Sequence, residues 1–274
     1  MEGTTTAHRS SEVSIQPRLD GEAPTLRGLR RFNLGMGGLH LVQGIAILLL
    51  STSFALPVTT SFLQMRGQNL VPVPRTLGEI PIGPAVAAFL FLSAIAHFAV
   101  SSRWGSRRYS SDLACGMNRA RWIEYSLSSS VMIVVIAMLV GIYDVVSLLA
   151  LFALNACMIL FGWMMEVHNQ TTSRTSWLSY WFGVFAGAVP WIAIGIYLFG
   201  PTASGDPGPP TFVYAIFGSI FVFFNIFAVN MALQYRRVGP WREYLYGERA
   251  YIWLSLVAKS LLAWQVFAGT LRPN

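Results

Sequence analysis

The sequence predicts an all-α membrane protein, a bundle of seven transmembrane helices. Three observations carry that expectation. Of 274 residues, 54% are hydrophobic and only 11% charged. The charges gather between long uncharged runs, and seven of those runs reach about 20 residues, the length an α-helix needs to cross a bilayer.

In chain order, residues 1–30 mix Arg, Glu, Ser and Thr without an apolar run. That composition fits a flexible tail rather than a cleaved signal peptide, so the membrane domain is expected over 31–274, with its first span as the insertion signal. Spans are expected near 33–56, 81–102, 122–143, 145–165, 177–199, 211–235 and 250–270. These use up the chain and leave no room for a second soluble domain.

Arginines assign the sides. Seven crossings put the tail and the loops 103–121, 166–176 and 236–249 together, with fifteen of the eighteen arginines; Arg66, Arg75 and Arg272 lie opposite. Positively charged loops face the cytoplasm, so the N-terminus is expected there, the C-terminus outside, and the protein is read as multi-pass in the cell membrane. The net charge of +7 then needs no nucleic-acid partner. The external segment 57–80 contains "NLVPVPRTLGEIP", whose partial alternation and prolines suit a short β-hairpin.

Cys115 and Cys157 form no disulfide or metal pattern, and no repeat or phosphate-binding glycine loop is present. ATP-driven chemistry, a metal centre and enzymatic activity are therefore not expected.

Inside the expected spans two charged side chains remain, Glu124 in "RWIEYSLSSS" and Lys259 in "SLVAKSLL". Each costs about 2.5–3.5 kcal/mol at mid-membrane on insertion scales, so an intramembrane acid and base should pair and mark a functional site. A purely structural salt bridge between the third and seventh helices is the plainer reading, but such a pair is weak stabilisation. Lys259 is also the only lysine in the chain. A desolvated lysine, unlike arginine, can lose its proton and condense with a carbonyl to form a Schiff base.

Over roughly residues 30–272 the chain resembles the heliorhodopsins. The segments "RWIEYSLSSSVMIVVIAMLVGI", "NACMILFGW" and "GERAYIWLSLVAKSLLAWQVFAGTL" carry the likeness, with "LHLVQ" and "SAIAHF". Heliorhodopsins resemble the microbial retinal proteins but sit inverted in the membrane. The resemblance implies all-trans retinal on Lys259 as a protonated Schiff base, with Glu124 as counterion. A nearby carboxylate favours the protonated form.

Ser255 lies one turn before Lys259, where ion-pumping relatives carry a second carboxylate. Arg121, three residues before Glu124, fits two readings, the R-x-x-acid spacing of those relatives or an interfacial snorkelling arginine. Beyond Glu124, Ser128, Ser129 and Ser130 lead into "VMIVVIAMLV", which offers no proton donor. A pump mechanism is therefore not expected.

His40 and His97, with Gln43 and Ser93 at helical spacing, suit a polar, water-holding cluster. The resemblance implies histidines near the counterion as an internal proton acceptor. Asn155, Trp163, Trp191, Phe224 and Trp264 are candidate walls of the retinal slot, although ordinary packing accounts for any one aromatic. The sixth helix replaces the tryptophan of the pumps with "FVFF".

The leading expectation is a photoreceptor that signals through a cytoplasmic partner. A light-gated ion channel or transporter is the alternative, and a retinal-free transporter using Lys259 and Glu124 as a substrate pair is a third. Membrane lipid surrounds the bundle, and the family resemblance implies a homodimer to which segment 57–80 could contribute.

Overall fold

The computed structural model describes residues 23–271. Its helices are α1 (Ala23–Leu50), α2 (Ile82–Ser101), α3 (Gly105–Ala114), α4 (Arg119–Leu139), α5 (Val145–His168), α6 (Leu178–Ala203), α7 (Thr211–Tyr235) and α8 (Tyr244–Val266). Seven of them are long and apolar enough to cross a membrane, α3 being the exception. Residues 1–22 of the expected tail lie outside the described residues, and α1 already starts at Ala23.

Local signals set several boundaries. Asn118 caps α4, its side chain accepting from the Arg121 amide at 3.0 Å, and Asp144 caps α5 by accepting from the Ser147 amide at 2.9 Å. Each side chain satisfies an amide that the first helical turn leaves without a partner. Gly141, at φ 100°, closes the end of α4 in a conformation few other residues adopt.

Strands β1 (Ala55–Arg66) and β2 (Asn69–Pro81) pair antiparallel, with Arg66 opposite Asn69 across a turn where Gly67 takes φ 66°. The register shifts between Val58 and Thr59, and the Thr59 amide donates to the Tyr143 carbonyl at 2.8 Å. That bond fixes the ribbon to the α4–α5 connection.

Several boundaries depart from the hydropathy reading. The first span ends at Leu50 rather than near 56, because the β-branched, proline-containing run after it pairs as strand. The loop expected over 103–121 holds α3, a polar helix too short and too charged to register as a span. The seventh span starts at Tyr244, not 250, because a polar first turn lowers its hydropathy.

The bundle core runs through Ile47, Phe89, Ile133, Ile136, Ile194, Ile220 and Leu262, all fully buried. Outward-facing residues are also apolar: Val42, Leu49, Ile95 and Phe185 are each at least 65% exposed. A helix apolar on both faces belongs in lipid.

Candidate functional site

Helices α2, α4 and α8 bring their polar residues to one point. Lys259 Nζ donates to Glu124 Oε1 at 2.7 Å and to Ser255 Oγ at 2.9 Å, and the Ser93 hydroxyl donates to the same Glu124 oxygen at 2.6 Å. Lys259 is 3% exposed. The Tyr125 ring lies 5.0 Å from the ammonium, adding a cation–π contact. Helical spacing explains the α8 half, since Ser255 and Lys259 sit one turn apart on one face. Nothing in the sequence links Ser93, on α2, to an acid 31 residues away.

Beside the pair, α1 and α2 stack the His40 and His97 rings at 5.6 Å between centroids, and His97 Nδ1 hydrogen-bonds with Asn33 Oδ1 at 2.8 Å. Both ring nitrogens of His40 are buried without a partner. Gln43 does not join them. It donates to the Leu39 carbonyl of its own helix and accepts from Trp264. Trp264 is thereby held on the α1 side of α8, away from the cavity beside Lys259.

That cavity is lined by Lys259, Ser255, Ser128, Tyr125, Met158 and Phe224, among others. Its walls are almost wholly apolar, and the Ser128 hydroxyl in them makes no hydrogen bond. A second space of about 570 Å³, running towards Trp122 and Tyr180, shares Tyr125, Met158 and Phe224 with the first. A primary amine at one end of an extended apolar slot, with a carboxylate at hand, fits a long conjugated aldehyde such as retinal.

Phe224, Ser128 and Ser255 thus stand at the slot. Asn155 is one residue removed, donating to the Ser129 and Ser130 hydroxyls at 2.8 and 3.0 Å. Trp191 packs edge-on against Phe217, Phe221 and Phe224, so the phenylalanine run of α7 meets a tryptophan from α6. Trp163 belongs to the aromatic cluster around Trp122 and Tyr251.

The two-charge picture of the membrane interior needs correction. Arg121 is buried and bridges Glu166 on α5, at 2.6 Å, and Glu248 on α8. Its guanidinium lies between the Trp122 and Tyr251 rings, 4.3 and 3.9 Å from their centroids. Glu166 also accepts from the Trp122 indole, the Asn118 amide and the Tyr244 hydroxyl, and Glu248 from the Asn118 side chain. Of the two readings of Arg121, snorkelling therefore fails, because the side chain turns inward to two acids. Both glutamates sit at the ends of apolar runs, where hydropathy alone reads them as span boundaries.

A cavity lies between the two charge clusters. Glu124, His97, Asn33, Tyr109, Asn118 and Arg121 all contribute to its lining. Burial pushes the Tyr109 hydroxyl well above the usual phenol range, so it stays protonated and available as a donor.

A seven-helix bundle with a lone lysine amine opening on an apolar slot, paired to one carboxylate, has the plan of a retinal-binding rhodopsin. The heliorhodopsin family model matches residues 29–271, and the chain belongs to that family. It is accordingly a multi-pass, light-sensing membrane protein whose cofactor is retinal. No protein of curated function matches the chain.

Proposed function

We propose that the protein is a photoreceptor that signals to a cytoplasmic partner rather than pumping ions, with Lys259 carrying all-trans retinal as a Schiff base and Glu124 as its counterion. The buried Lys259–Glu124 pair at 2.7 Å, opening on an apolar cavity, is the observation that supports this most directly. Retinal supplies visible absorption and a light-driven change of shape. The protein's residues do the rest.

Glu124 holds positive charge at the Lys259 nitrogen, and Ser93 and Ser255 fix the carboxylate and the nitrogen relative to one another. The slot walls are almost wholly apolar. His40, whose ring nitrogens have no partner, and His97 beside it offer a place for a proton leaving the Lys259 nitrogen. The arginine split of the loops supports a cytoplasmic N-terminus, the inverted arrangement, and a place in the cell membrane. A homodimer is part of the same reading, with the β1–β2 ribbon at the contact.

Lys259→Ala tests the linkage. The variant should insert in the membrane and show no visible band after incubation with all-trans retinal, since only a primary amine forms the imine. A band like that of the wild type overturns the assignment.

The cavity between Glu124 and Arg121, with Asn33, His97 and Asn118 also in its wall, favours one second reading, a light-gated ion conductor. Illuminated vesicles separate the two: a sustained photocurrent supports conduction, and its absence with an intact photocycle supports signalling.

A further inference from the structure

At the arginine-rich end of the bundle, the last turns of α5 and α7, the connection 169–176 and the start of α8 enclose an open basin of about 980 Å³. Arg174, Arg237 and Arg242 line it, and Glu166 is the only acid in its wall. Glu166 is bound to Arg121, which it shares with Glu248. Among the described residues, none of the three basin arginines forms an ion pair. The basin wall therefore carries three guanidinium groups against one acid, which already faces Arg121.

A second observation concerns the backbone. Arg237 takes φ 52°, the only non-glycine residue with positive φ among the described residues. That conformation belongs to the C-terminal cap of α7, where the Val238 amide donates to the Leu233 carbonyl and the Arg237 amide to the Gln234 carbonyl, both at 3.1 Å. The turn also draws two of the arginines together, since Arg242 Nε donates to the Arg237 carbonyl at 3.3 Å.

We propose that this basin binds a small multivalent anion, a phosphate or polycarboxylate group, on Arg174, Arg237 and Arg242. Guanidinium forks match planar or tetrahedral oxyanions with paired hydrogen bonds. The concave shape suits a compact ligand held from several sides, not a flat protein face.

Calorimetric titration of inorganic pyrophosphate into detergent-solubilised protein at low ionic strength tests the site, with retinal-loaded and retinal-free protein measured separately. Failure of the chromophore assignment then leaves this measurement intact. The expected result is one saturable site. Arg174→Gln and Arg242→Gln should each weaken it about two- to fivefold, the range of an exposed ion pair. Arg237→Gly removes the charge while suiting the positive φ, so it should weaken binding without unfolding the protein.

Arg107→Gln/Arg108→Gln, on the exposed face of α3, should leave affinity unchanged. Absence of saturable heat, or equal weakening by the α3 variant, overturns the proposal. Nanodiscs of phosphatidylcholine with and without phosphatidic acid identify the source. Competition by phosphatidic acid supports a lipid phosphate in the basin, and undiminished pyrophosphate binding supports a soluble anion.

Discussion

The Arg121 cluster offers the sharpest test of the packing argument. One guanidinium faces two carboxylates at the ends of three helices, and all three side chains are at most 4% exposed. Arg121→Gln removes the cation and leaves both acids buried. Breaking a buried pair in this way costs about 3–5 kcal/mol, because the abandoned charge has no water to return to. The two acids are not equal. Glu166 keeps three donors, from the Trp122 indole, the Asn118 backbone amide and the Tyr244 hydroxyl, whereas Glu248 keeps only the Asn118 side-chain amide.

Most of the cost should therefore sit on Glu248, and adding Glu248→Gln should recover about half of it. For a chain of this size each kcal/mol corresponds to about 2–4 °C, so the single variant should unfold about 6–20 °C below wild type. Thermal unfolding followed by near-ultraviolet circular dichroism in one detergent measures both variants. A drop under about 2 °C for Arg121→Gln, or a further drop in the double variant, would refute the account of an uncompensated acid.

Three further outcomes are expected. Glu124→Gln removes the negative charge beside the Lys259 nitrogen, so the visible band of the retinal-loaded protein should move to longer wavelength in halide-free buffer; an unmoved band makes another group the counterion. Gly162→Ala would drive a methyl group into the Trp122 ring; it should cost about 1–3 kcal/mol by overpacking, read as a lowered unfolding temperature, and a neutral result would show that Trp122 can step aside. Backbone and side-chain hydrogen bonds from Ser147 hold the Asp144 carboxyl below the usual aspartate value; the charge-dependent part of its stabilising effect is present above about pH 4 and fades as pH falls further, so Asp144→Ala should lower the unfolding temperature more at about pH 7 than at about pH 2.

Much of this protein is decided within single stretches of sequence. Seven spans follow from hydropathy because a bilayer sorts each helix by its own apolar length, and that property needs no neighbour. Lys259 and Glu124 stand out for the same reason, as charges deep inside such stretches. The register of Ser255 on Lys259 follows from helical periodicity alone.

What only the tertiary structure decided is which charges meet. Arg121 finds Glu166 and Glu248 across 45 and 127 residues of chain, and hydropathy reads all three as the edges of spans because it averages along the sequence and ignores partners. The polar start of α8 is tolerated within a span because Glu248 pairs there with Arg121. Gln43, one turn from His40 on α1, turns instead to Trp264, because a shared helix face does not fix which neighbour a long side chain reaches. A chain dictates its own helices, but the compensation of buried charge is a property of helices packed together.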